Sequence, residues 1–180
     1  MPLKHFGAAL LMTGLLFATA VRADETTEVQ RLVAQGLLPA ALQRAQAAIK
    51  ITPNDARLRF AHALLLFDMQ RDIDAMQAFV LMAQDFPQLP EPHNNMAALH
   101  ARAGQWELAR VALETALRND PRHGLARENL GDVHLQLALQ AWRQAAASVV
   151  PGLELQRKIR LAAQLAGSPL FEAKGPAKDQ

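Results

Sequence analysis

The chain has 180 residues, with 19 Lys and Arg against 17 Asp and Glu, six histidines, and neither cysteine nor tyrosine. Without cysteine there is no disulfide, no thiolate-held metal and no lipid anchor on an N-terminal cysteine. The formal charge of +2 is small, and no basic stripe with interleaved aromatics runs along the chain, which argues against a nucleic-acid partner.

The first element is a leader. Lys4 supplies a positive start, Phe6 to Ala18 is an apolar run, and small residues follow at Ala18-Thr19-Ala20 and Val21-Arg22-Ala23. The run is shorter than the ~20 residues a membrane-spanning helix needs. Phe6, Leu10, Leu11, Leu15, Leu16 and Phe17 cover every helical face, unlike an amphipathic surface helix. Residues 1–23 are therefore predicted to be a secretory signal peptide, cleaved after Ala23 or, second choice, after Ala20. Cleavage removes Lys4 and Arg22 and no acid, leaving 17 basic and 17 acidic residues. The expected mature protein is near neutral, soluble and exported, in the periplasm or secreted.

Beyond the leader the chain repeats itself. Pro53, Pro87 and Pro121 stand 34 residues apart, and other columns keep the same interval. Ala41, Ala75 and Ala109 form one; Ala48, Met82 and Ala116 a second; Ala63, Ala97 and Gly131 a third; glycine marks mid-unit at Gly36 and Gly104. Each unit reads as two helices and two turns. In residues 90–123, Glu91 to Ala103 places Met96, Ala97 and His100 on one face before Gly104 ends the helix. Trp106 to Arg118 then groups Ala109, Leu113, Ala116 and Leu117, and Asp120-Pro121 stops it. Small residues recur where paired helices must approach closely.

A unit of 34 residues built as helix–turn–helix, with small, aromatic and terminal proline positions, resembles the tetratricopeptide repeat. Residues 90–123 carry the pattern best, through Asn95, Met96, Ala97, His100, Gly104, Trp106, Ala109, Leu113, Ala116, Leu117, Asp120 and Pro121; Asn129-Leu130-Gly131 repeats the first-helix run, with His134 in the tyrosine column. More loosely, Leu89 to Ala138 is similar to exported, envelope-associated tetratricopeptide proteins of Gram-negative bacteria. The resemblance implies an all-α solenoid, a right-handed superhelix of about 3.5 repeats. The predicted divisions are 24–55 for a divergent first repeat, 56–89, 90–123, and 124–150 for a partial fourth. A capping helix over 151–167 presents Leu155, Ile159, Ala162 and Leu165, and 168–180 is a disordered tail. The fourth repeat departs from the pattern: Leu135 to Ala147 has no breaker, so it is either one long helix or two joined by a shortened turn.

No catalytic constellation is legible. Ser148 and Ser168 lack a glycine elbow, no strand pattern exists to carry a nucleotide loop, and Asp72, Asp74, Asn119 and Asp120 read as helix caps. His100 and His134 lie one period apart, with His93 seven residues before His100. Packing in the aromatic column explains the pair better than a metal does, so no metal or cofactor is assigned.

Binding is the expected role. Stacked helix pairs make a concave surface lined by the first, or A, helix of each repeat. On it the resemblance places Arg57, Phe60, Leu64, Phe67 and Asp68 from the second repeat. It adds Glu91, Asn94, Asn95, Ala98 and Arg102 from the third, and Leu125, Glu128, Asn129, Asp132 and Gln136 from the fourth. Phe60, Leu64 and Phe67 form an apolar stripe at i, i+4, i+7, which suits a partner's helix or an extended peptide, or equally the repeat's own core. Asn95 and Asn129 look like ligands for peptide backbone, but asparagine is a favoured residue of that column in the family and often serves local structure instead. The lysine and arginine clamp that relatives use for a terminal carboxylate is missing, its places taken by Glu91, Leu125, Glu128 and Asn129. The expected function is a non-catalytic periplasmic adaptor holding a protein or peptide on its concave face. A structural or regulatory subunit docked by its convex surface is the alternative, and a metal-dependent hydrolase the least favoured.

Overall fold

In the computed structural model, residues 25–167 are described; the signal-peptide and tail readings lie outside them. Eight helices fill the described residues. They are α1 (25–34), α2 (Leu38–Ile51), α3 (Ala56–Asp68), α4 (Asp72–Asp85), α5 (Pro90–Arg102), α6 (Trp106–Asn119), α7 (Gly124–Ser148) and α8 (Leu153–Ala166). The described residues divide into two compact units on either side of the Ala78–Phe79 bond, inside α4.

Two alternating turns build the pattern. After α1, α3 and α5 the chain reverses through the same pair of hydrogen bonds. Gly36 N–H donates to Val33 and Leu37 N–H to Leu32; Gln70 N–H donates to Phe67 and Arg71 N–H to Leu66; Gly104 N–H donates to Ala101 and Gln105 N–H to His100. This is the Schellman closure, whose middle residue must take a left-handed conformation. Gly36, Gln70 and Gly104 do so, with φ of 73°, 56° and 71°. The second turn carries the prolines. Thr52, Phe86 and Asp120 N–H donate four residues back, and Asp55, Leu89 and His123 N–H then close the turn before the next helix. Asp55 caps α3 by accepting from Arg57 and Leu58 N–H, and the His123 ring accepts from Ala126 N–H. Asn119 does not cap: its amide donates to the Pro87 and Leu89 carbonyls at 2.8 and 3.2 Å, tying the end of α6 to the turn before α5.

The recurring alanines sit where helices touch. Ala41, Ala75, Ala109, Ala63 and Ala97 have no exposed surface at all. In the first unit α2 packs on α3, and Arg44 holds Glu25 through two hydrogen bonds of 2.7 and 2.6 Å. In the second unit α5, α6 and α7 pack in sequence around Ala97, Ala109, Leu113, Ala116, Ala126 and Val133, with Met96 and Trp106 against them.

The fourth repeat is one helix. At the position one period after Gly104 stands Ala138, a strong helix former, and α7 runs unbroken for 25 residues. α8 packs on α7. It half-buries Leu155 and Ile159 and fully buries Ala162, while Leu165, in its last turn, is 63 % exposed and does not join that face. His134 is exposed, contrary to the packing reading, since α7 continues past the point where a second helix would have folded back over it.

Candidate functional site on the A helices

In the first unit α1 and α3 are the A helices, and the expected binding residues lie on α3. Its apolar stripe is not uniform: Phe60 and Phe67 are buried, Leu64 is half-buried, and Arg57 and Asp68 flank it exposed. Two of three stripe residues thus face packed surroundings, and the exposed chemistry of α3 is carried by one cation and one anion. His62, also on α3, is half-buried, its imidazole held below the ordinary histidine range by burial and then by the Arg71 guanidinium, against a smaller opposing pull from Asp74. Arg71 itself donates to Asp74 at 2.8 Å.

In the second unit α5 and α7 are the A helices, and their amides meet. Asn129 Nδ2 donates to Asn94 Oδ1 at 3.0 Å, and both side chains are buried. Asn95, also buried, donates its amide back to the Glu91 carbonyl at 2.9 Å. Two acceptors, Asn95 Oδ1 and Glu91 Oε2, are buried without a hydrogen-bond partner among the described residues. An unsatisfied buried acceptor costs ~1–3 kcal/mol. Along α7, Glu128 is exposed and Asp132 half-buried. Burial pushes the Asp132 carboxyl above its usual range, and the neighbouring Glu128 carboxylate adds to the rise. Arg102 is exposed at the end of α5.

Asn94 and Asn129 are therefore brought together by adjacent A helices, and Glu128 with Asp132 forms an acidic step beside them. The asparagine pairing was hidden in sequence, because Asn129 bonds to the residue 35 positions back, one column away from its own repeat equivalent, Asn95. The remaining histidines are scattered. His100 Nδ1 lies 2.8 Å from Gln105 Oε1 across the α5–α6 turn, and His93 is half-buried, its imidazole pushed down by burial and by Arg118. Among the described residues no three His, Cys, Asp or Glu side chains converge as metal ligands would, and no helix is long and apolar enough to cross a membrane.

No family model and no curated protein matches the chain. Solved structures do. The first tetratricopeptide domain of Spaghetti (RPAP3), bound to the HSP90 peptide SRMEEVD, superposes with a TM-score of 0.59 at 16% identity, over 64% of this chain and 92% of that one. The crystal structure of MamA gives 0.57 at 18% identity, over 77% and 84%. A tetratricopeptide repeat protein from Parabacteroides merdae gives 0.58 at 17% identity, over 81% and 60%. Sharing its alternating helices and turns with these three structures, the chain has the all-α tetratricopeptide-repeat fold.

Proposed function

We propose that the chain is an exported, non-catalytic adaptor of the periplasm that holds a protein or an extended peptide on the concave faces of its A helices. The observation that carries this is the set of charged groups that the A helices of the second unit leave at the surface, Arg102 on α5 and Glu128 on α7 with half-buried Asp132, while the buried Asn94–Asn129 amide pair ties the two helices together. Such groups recognise a bound segment through complementary charge. The Spaghetti domain, similar in fold, is bound to a peptide rich in acids. On the A helices of the second unit Glu91, Glu128 and Asp132 outnumber Arg102, so a neutral or basic segment suits them better. Export rests on the leader features of residues 1–23 and on the envelope-protein resemblance.

Docking by the convex side has its own support. Ile73, Leu81, Leu108 and Val111 on the second, or B, helices are exposed. The test separates the two. The protein is first recovered from the periplasm, where an intact mass beginning at Asp24 is expected. Partner capture is then compared for wild type, Glu128→Lys with Asp132→Lys, and Leu108→Asp with Val111→Asp. Capture lost only in the first variant, at unchanged melting temperature, supports the A-helix site; capture lost only in the second assigns the convex surface. A mature protein that retains Met1 in the cytoplasm removes the export reading.

A further inference from the structure

The continuous α7 creates a surface that a regular repeat would not have. Past residue 138 the helix runs on instead of folding back, and an open groove of about 430 Å³ lies beside it. One side is Gly104 and Trp106, from the α5–α6 turn; the other is Gln136, Leu139, Gln140, Arg143, Gln144 and Ala147. The α7 residues fall at i, i+3, i+4, i+7, i+8 and i+11, one face over three turns. We propose that this groove binds an extended polypeptide segment carrying acidic side chains. The inference stands independently of the A-helix site.

Three features select that occupant. The first is spacing. Gln136, Gln140 and Gln144 are stacked one turn apart, about 6 Å each at the helical rise, close to the roughly 6.5 Å over which an extended chain repeats its outward-facing peptide groups. A carboxamide offers one acceptor and two donors, matching the C=O and N–H of a strand. The second is that these groups are uncommitted. The side chains of Gln136, Gln140, Gln144, Arg143 and Trp106 make no hydrogen bond or ion pair among the described residues. The third is charge. Arg143 is the single charged residue of the lining, and it stands in the column that holds fully buried Ala41, Ala75 and Ala109 in the other repeats. There the turned-back helix would bury a guanidinium; on the straight α7 it is exposed at the groove. One cation among amides suits a carboxylate on a peptide. It is too little for the phosphate backbone of a nucleic acid, which takes several.

The test uses the full chain, 15N-labelled, and three acetylated and amidated nonapeptides on one threonine–valine framework, chosen for its preference for extended structure. They differ only in a central Asp-Val-Glu, Asn-Val-Gln or Lys-Val-Lys. The readout is the side-chain amide signals of Gln136, Gln140 and Gln144 and the indole signal of Trp106. The acidic peptide is expected to shift all four saturably, with the neutral one about tenfold weaker, a loss typical of one charge-assisted hydrogen bond. Arg143→Gln should abolish that preference, and Gln140→Ala should weaken both peptides. No saturable shift with any peptide, equal binding of all three, an unaltered preference in Arg143→Gln, or tighter binding of an oligothymidylate each overturns the proposal.

Discussion

Residues 90–119 and 124–148 start alike and then part. Asn95 and Asn129, Ala97 and Gly131, His100 and His134 stand in matching places, yet α5 ends at Arg102 while α7 continues for twelve residues past the matching point, Gln136. Two things differ beyond it. The left-handed turn position holds Gly104 in one and Ala138 in the other, and the columns that α6 buries as Ala109 and Leu113 hold Arg143 and Ala147 in α7. The turn before α4 shows which difference dominates. Gln70 takes the left-handed conformation without being glycine, at ~1–2 kcal/mol. The helix that follows buries Phe79 and Met82 completely or nearly so, a gain of about 1.5–3 kcal/mol for each. Folding back therefore depends on what the second helix has to bury. In the fourth repeat that helix would bring an arginine into an alanine column, and the chain stays straight.

The largest expected effect tests the buried side of this contrast. Leu113 has no exposed surface in the second unit's core, whereas its counterpart Ala147 is exposed on α7. Leu113→Ala should destabilise by about 2–5 kcal/mol, and Ala147→Leu should stay within about 0.5 kcal/mol of wild type. Denaturant unfolding of the two variants decides. Similar losses in both would mean that the second half of α7 is packed as α6 is.

Next come the turns. Gly104→Ala meets no neighbour, since a Cβ there has nothing within 4 Å, so its whole cost is conformational, ~1–2 kcal/mol. Gln70→Gly should do the opposite and raise stability, by less than that amount because glycine also loosens the unfolded chain. If both variants melt like wild type, the left-handed turns are not what limits these repeats.

A smaller gain is expected at Gly131. In the third repeat the same column is Ala97, fully buried, where any larger side chain would overpack. Gly131 is exposed in mid-helix, and a Cβ there meets nothing within 4 Å. Gly131→Ala should stabilise by roughly 0.8–1 kcal/mol, the difference in helix propensity. A loss instead of a gain would show a close approach at this position after all.

The period, the proline turns and the ends of α5 and α6 were legible because each rests on local chemistry: a fixed φ, a left-handed glycine, a run of helix formers. The length of α7 was not, since it is settled by a balance between turn strain and burial that only the packed chain reveals. Phe60 and Phe67 were ambiguous for a related reason. A stripe at i and i+7 has the same spacing whether it faces a core or a groove, and the structure buries both residues. Asn94 and Asn129 could be assigned to the A helices from sequence, but their mutual bond joins neighbouring columns of successive repeats. The groove beside α7 follows from the same undecided turn.

The smallest effect is one of pH, and it too separates the repeats. The third repeat has His93 where the fourth has Arg127, so only the former carries a histidine in this column. Burial, and then the Arg118 guanidinium, hold the folded His93 imidazole below its ordinary value of 6.5. Above that value both folded and unfolded chains carry neutral histidine and stability is full. As pH falls below it, the unfolded chain takes up the proton first, and stability declines until the depressed folded value has been passed. His62 is shifted in the same direction and contributes a parallel loss. The wild-type melting temperature should therefore drop from neutral pH to about pH 5, where histidine titrates. His93→Gln should make that drop shallower, and Arg118→Gln should do so less strongly, because it removes the secondary cause and leaves the burial. A slope unchanged by His93→Gln would place the acid sensitivity elsewhere, with His62→Gln as the variant to measure beside it.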